Sequence, residues 1–187
     1  MLQQHTVCLV DADAQGSSSR WVSGFQPTIQ KPDVWRVTDP DELIDGINTR
    51  SEKYDFTLID APGALEEIQR IILIIADLIL VPIQPNAMDM AASQKTIKVI
   101  TSARSFRGGK PRAIAFLNRV ETNTRLATEA KKALDTVTET LQYGGEIPNR
   151  QAIARAMGEG NTVFDAKSKG ARDAAERYQQ LFQGFHL

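Results

Sequence analysis

The chain has 187 residues, 42% hydrophobic and 24% charged, with a formal net charge of −1. That length suits one globular α/β domain spanning 1–187, since two full domains would be crowded. A single cysteine, Cys8, excludes a disulfide framework and a cysteine-built zinc site, and His5 and His186 alone exclude a histidine-rich metal centre. Charge is unevenly spread: residues 1–102 hold 8 Lys/Arg against 14 Asp/Glu, and residues 103–187 hold 14 against 9. Any basic face must therefore come from the second half. The N-terminus carries no cationic leader or apolar h-region, and the expected compartment is the cytoplasm.

In chain order, "TVCLV" (6–10) is the first strand, continuous in its apolar residues as strands covered on both faces are. It runs into "DADAQG", with Asp11 and Asp13 at its tip. "VWRVT" (34–38) is a weaker strand, placed at an edge. "DPDELIDGINTR" opens with Asp39 as N-cap and Pro40 at the first helical position. "FTLID" (56–60) is a second acid-tipped strand, followed by Pro62-Gly63 and the helical stretch "ALEEIQRIILIIA".

"IILIIADLILVPI" from Ile71 is broken by Asp77 and Pro82 and is too short to span a bilayer. It reads as a helix end running into the buried strand "LILVPI" (78–83). A long amphipathic helix over "AMDMAASQKTIKVITSARSF" follows, then the strand "AIAFLN" (113–118). A further helix carries Leu126, Ala130, Ala133, Leu134, Val137 and Leu141 at helical spacing, and a final one carries Ala171, Ala174, Tyr178, Leu181, Phe182 and Phe185. Alternating strand and helix predict an α/β fold with a mostly parallel sheet flanked by helices.

In such folds ligands sit beyond the carboxyl ends of the strands. A single Asp there is an ordinary helix cap or turn former. Two acid-tipped strands, each followed by small residues and glycine, favour a phosphate and Mg²⁺ site, because Mg²⁺ needs only one or two carboxylates when phosphates supply the remaining oxygens.

"VCLVDADAQGSSSRW" resembles the strand-plus-switch segment of the ParA/MinD family of deviant Walker P-loop ATPases, whose usual form is D-x-D-P-Q-G-S/N. "YDFTLIDAPGAL" resembles the family's Walker B segment, and "ADLILVPIQPNAMDMAA" its next strand and helix start. "FLNRV" resembles the base-contacting strand end and "EIPNRQAIARAMGEGNTVFDAKSKGARDAAERYQQL" the C-terminal signature, so five motifs follow in order over essentially the whole chain.

The resemblance implies ATP and Mg²⁺ as cofactors. It implies that Asp13 orients the attacking water, with Asp11 beside the nucleotide and Asp60 holding Mg²⁺ through a water. It further implies that Asn118, Arg119, Pro148 and Asn149 meet the adenine. Ala14 departs from the family's proline, which leaves that backbone less restrained.

The family's Lys-Gly-Gly-x-x-Lys-[Ser/Thr] loop precedes the D-x-D segment by about thirty residues, and Met1–His5 leave no room for it. "FRGGKPR" (106–112) has Pro111 where the hydroxyl residue belongs and precedes a strand, so it reads as a plain loop. Without the backbone cradle and the lysines, this stretch is expected to bind ATP poorly, and possible cofactors include none.

The missing strand is central in the family's sheet, next to the Walker B strand, so two inner edges are expected to be exposed. Five to ten unpaired backbone groups at about 1–3 kcal/mol each would rival a domain's whole stability of about 5–15 kcal/mol. Three compensations are open: an internal methionine of a longer protein as the start of this sequence, closure of the two flanking strands, or a donated strand. "LQQ" resembles the tail of the family's first helix, which favours the first.

The leading expectation is a ParA-like partition or positioning protein. Its partners would be nonspecific DNA, a ParB-like or other adaptor, and a second copy of itself, placing it at the nucleoid. Arg150, Arg155, Lys167, Lys169 and Arg172 are the DNA-binding candidates, through phosphate contacts. The alternative is a nucleotide-independent remnant that binds a dimer partner or adaptor. Membrane attachment is not expected, because "RYQQLFQGFHL" has an apolar stripe without a cationic face.

Overall fold

A computed structural model describes residues 5–63, 67–136 and 141–185. Its contacts divide into two compact units, residues 1–75 with 157–161 and residues 76–156 with 162–187. All strand pairings in both are parallel, giving an α/β fold of parallel sheets flanked by helices.

The first unit runs β1 (Val7–Asp11), α1 (Ser17–Ser23), β2 (Asp33–Arg36), α2 (Pro40–Lys53), β3 (Phe56–Asp60) and α3 (Glu67–Ile75). The sheet order is β2-β1-β3. The continuous apolar run of β1 follows from its central place, and "VWRVT" contributes the edge strand β2. Cys8, Val10 and Ala12 face Leu43 and Ile47 of α2 and Ile68 and Ile71 of α3, with Val37 completing one buried cluster.

α2 begins as its sequence predicts: the Asp39 side chain accepts from Glu42 N at 2.9 Å, and Pro40 occupies the first turn. Residues 64–66, with which the sequence begins α3, lie outside the described residues. At the far end of α1, Gln26 N donates to Gly160 O at 2.9 Å, and Gly160, at φ +68°, lies against the Gly24 carbonyl.

The second unit runs β4 (Leu78–Ile83), α4 (Ala87–Phe106), β5 (Arg112–Val120), α5 (Arg125–Asp135), β6 (Gln142–Pro148), α6 (Gln151–Gly158) and α7 (Lys169–Gln183), with sheet order β4-β5-β6. Ala113–Leu117 of the central β5 are all buried. Ile114, Phe116 and Ile147 pack with Leu181 of α7 and with Phe185 just beyond it. "FRGGKPR" is the turn between α4 and β5, as expected.

β6 is a strand the apolar pattern did not announce, because Gly144 and Gly145 interrupt "QYGGEIP". Gly144 is required there: a Cβ would stand 2.7 Å from both Ile114 Cγ2 and Leu181 Cδ1, so α7 closes directly onto the backbone. The α5 stripe is narrower than predicted. Ala130 and Leu134 are buried, whereas Leu126 and Ala133 face solvent, and Val137 lies outside the described residues. Leu181 on α7 and Phe185, just past its end, are buried, while Phe182 is 37% exposed and packs against the Tyr178 and Phe185 rings.

β3 forms one edge of the first sheet and β4 one edge of the second. Leu58 on β3 is 49% exposed and Leu80 on β4 is 41% exposed.

Candidate functional site

In the first unit the two acid-tipped strands are neighbours. β1 and β3 pair in parallel with Asp11 opposite Asp60, and Ala12 N donates to Asp60 O at 2.9 Å. Residues paired in a parallel ladder direct their side chains to the same face. Val7, Leu9 and Asp11 therefore share a face with Phe56, Leu58 and Asp60. Asp13 stands two residues past the tip of β1, half-buried, while Asp60 is exposed.

The three carboxylates are not equivalent. Asp11 is fully buried, and its Oδ2 accepts from Ser19 N at 2.9 Å and from the Ser19 hydroxyl. That satisfies a first-turn donor of α1, whose N-cap is Gly16 and supplies no side-chain acceptor. Burial pushes the Asp11 carboxyl up, but the Ser19 hydroxyl and backbone bonds, helped by Ser18 and the Asp13 backbone, outweigh it and hold it below the ordinary carboxylate range. Asp11 thus anchors α1 to the sheet and is closed to solvent.

Asp13 closes its own turn: Oδ1 accepts from Gln15 N at 2.8 Å, and its carbonyl accepts from Gly16 N at 2.9 Å. This is the Asx geometry that makes aspartate a turn former. Its Oδ2 takes no hydrogen bond among the described residues.

Arg36 was not singled out in the sequence. It lies opposite Asp11 on β2, and its Nη2 donates to Ala14 O at 3.4 Å. No sequence spacing marks this contact, because it joins the end of one strand to the turn after another. The turn around Ala14, which lacks the family's proline, is held by these contacts instead.

In the second unit, the adenine candidates gather at the carboxyl ends of β5 and β6. Val120 pairs with Pro148, and Asn149 N donates to Val120 O at 2.8 Å. Asn118 Oδ1 accepts from Arg119 N at 3.0 Å, and Arg119 has φ +54°. Pro148 is buried, and Arg119 and Asn149 are exposed.

The five cationic candidates are all exposed. α6 and α7 meet where a Cβ on Gly170 would stand 3.2 Å from Ala152 Cβ. Arg150 lies at the start of α6, and Lys167, Lys169 and Arg172 at the start of α7. Arg155 lies about one turn along α6, and the Arg172 guanidinium donates to Lys167 O at 2.7 Å.

A family model described as an AAA domain matches residues 36–107. The maintenance of carboxysome distribution protein A of Halothiobacillus neapolitanus is 29% identical in an alignment spanning 97% of this chain and 83% of that protein. Among solved structures, apo McdA from Cyanothece superposes with a TM-score of 0.76 at 15% identity, covering 98% of this chain and 88% of that one. The cell division ATPase MinD of Pyrococcus furiosus gives 0.69 at 19% identity, with 97% and 87% covered. The fold is that of the ParA/MinD proteins, and the AAA-domain match and the carboxysome-distribution relative are the likenesses found in sequence.

ParA/MinD proteins are nucleotide-binding, so the described residues can be tested against ATP and Mg²⁺. Asp13 and Asp60 offer oxygen donors of the kind Mg²⁺ accepts. Yet no group of three or more His, Cys, Asp or Glu side chains gathers closely enough to hold a metal among the described residues. Nor does any of their strand-to-helix turns combine a glycine-rich backbone with lysine. The Gly108-Gly109 turn follows a helix and precedes a strand. Among the described residues, therefore, the acid-tipped strands stand together without such a strand-to-helix turn, and this lining does not by itself fit a triphosphate. Among the described residues, no helix is long and apolar enough to cross a membrane.

Proposed function

We propose that this chain is a ParA-like positioning protein whose acid-tipped strands form one wall of a nucleotide site and whose α6–α7 cations grip DNA without regard to sequence. The observation that carries the reading is the in-register pairing of Asp11 with Asp60, with the Asp13 turn just beyond. In this reading Asp13 orients water, Asp60 holds Mg²⁺ through water, and Asn118, Arg119, Pro148 and Asn149 face the base. Asp11 contributes from below, by fixing α1.

The relatives' role in carboxysome distribution supports a large protein assembly as cargo, engaged through an adaptor protein, with a second copy of the chain completing a dimer. The protein would work in the cytoplasm, associated with the nucleoid. A second reading, a binding module that works without nucleotide, is favoured by one feature: among the described residues the three acids form no ion pair with a lysine, and the neighbouring guanidinium of Arg36 is engaged with Ala14.

The test is binding of residues 1–187 to random-sequence duplex DNA across a salt series, with and without MgATP. Binding should weaken steeply with salt, and Lys169→Ala should reduce the magnitude of the log–log slope by about 0.9, the loss of one phosphate contact. MgATP should change the affinity little. Absence of DNA binding at low salt contradicts the positioning reading, and strong stimulation by MgATP contradicts the missing phosphate grip.

A further inference from the structure

The Asp13 turn is held from three directions. Below, Asp11 ties Ser19, and thereby α1, to the strand. Within, the Asp13 carboxylate and carbonyl accept from Gln15 N and Gly16 N. Beside it lies Arg36, whose guanidinium covers Gly16. A Cβ built on Gly16 would stand 2.7 Å from Nη2, 2.8 Å from Cζ and 3.2 Å from Nε. The same Nη2 points to Ala14 O at 3.4 Å.

Gly16 sits at φ +62°, a conformation that glycine adopts without penalty and that any side chain resists. The turn therefore has a bare glycine face, and a flat cation fills the space a side chain would otherwise take. A planar guanidinium can cover such a face and reach a carbonyl at once, which the point charge of a lysine cannot.

We propose that Arg36 is a positioning residue: by lying over Gly16 and bonding Ala14 O, it holds the 13–16 turn so that the Asp13 carboxylate keeps one fixed direction. This deepens the nucleotide-wall reading of Asp13 and rests on it for its functional meaning. The clamp itself restrains a backbone that has alanine, not proline, at position 14.

The test is residue-resolved amide hydrogen exchange on the nucleotide-free protein, comparing the unaltered chain with Arg36→Ala, Arg36→Lys and the control Arg20→Ala. Arg36→Ala should speed exchange at Gln15 and Gly16 about fivefold while leaving the sheet amide of Val10 and the thermal midpoint unchanged. Arg36→Lys should retain part of the protection, because it keeps a donor for Ala14 O, and Arg20→Ala should retain all of it.

A residue that only supported folding would instead lower the midpoint and speed all amides together. Unchanged exchange at Gln15 and Gly16 in Arg36→Ala, or an equal effect from Arg20→Ala, overturns the proposal. No nucleotide enters the measurement, so failure of the nucleotide-wall reading would leave its outcome intact.

Discussion

Asp11→Ala is expected to destabilise the protein by about 2–3 kcal/mol, because it strips a buried acceptor from two donors of Ser19 and unties α1 from the sheet. At about 2–4 °C per kcal/mol for a chain of this length, the melting midpoint should fall by about 5–10 °C. The same substitution carries a pH signature. The folded carboxyl is held below its unfolded value of about 3.9, so its contribution is complete above that value and is lost as pH falls through the lower folded one. The gap between the unaltered chain and the variant should be flat above about pH 5 and narrow below about pH 4. Asp13→Ala, by contrast, removes a turn bond near the surface and should cost less than about 1 kcal/mol. Thermal melts of both variants across pH check the ordering, and equal costs would contradict the separate roles given to the two acids.

Gly144→Val should be the most damaging change in the second unit. The valine Cβ would enter the 2.7 Å space against Ile114 and Leu181, both closely packed. Neither can retreat without opening the β5–β6–α7 core, and overpacking of this kind costs about 1–3 kcal/mol, more where the backbone must shift. Denaturant unfolding of this variant should show a lowered midpoint with increased exchange along α7. Gly145→Ala is a useful comparison, since no atom lies within 4 Å of its Cβ position and the penalty comes from φ +109° alone.

The elements read most readily from sequence are those with a single dominant cause. Continuous apolar runs marked β1 and β5 because each is central in a parallel sheet, and marked β3 and β4 although these are edge strands with exposed leucines; Asp39-Pro40 marked the start of α2 because capping chemistry is local. β6 escaped because its paired glycines are dictated by α7, a contact between segments more than thirty residues apart. α1 escaped because its seven residues are too few to show a helical period, and its capping acceptor, Asp11, comes from the preceding strand.

The acid tips were legible as a pair, and β1 and β3 are indeed adjacent. Their division of labour was not, because burial separates Asp11 from Asp13 and Asp60, and burial depends on where α1 lies. Arg36 was invisible for the same reason: its meaning resides in the turn it covers.

The central proposal is that Asp13 and Asp60, at the ends of the paired strands β1 and β3, together hold one divalent ion through water. A titration with Mn²⁺, read as paramagnetic broadening of backbone amides in isotope-labelled protein, addresses it directly. The account predicts that residues 13–16 and 60–62 broaden together along one weak, about millimolar, binding curve, as expected for few carboxylates without phosphate oxygens, and that Asp60→Asn abolishes both responses. Broadening of one segment without the other, or two curves of different affinity, would contradict it.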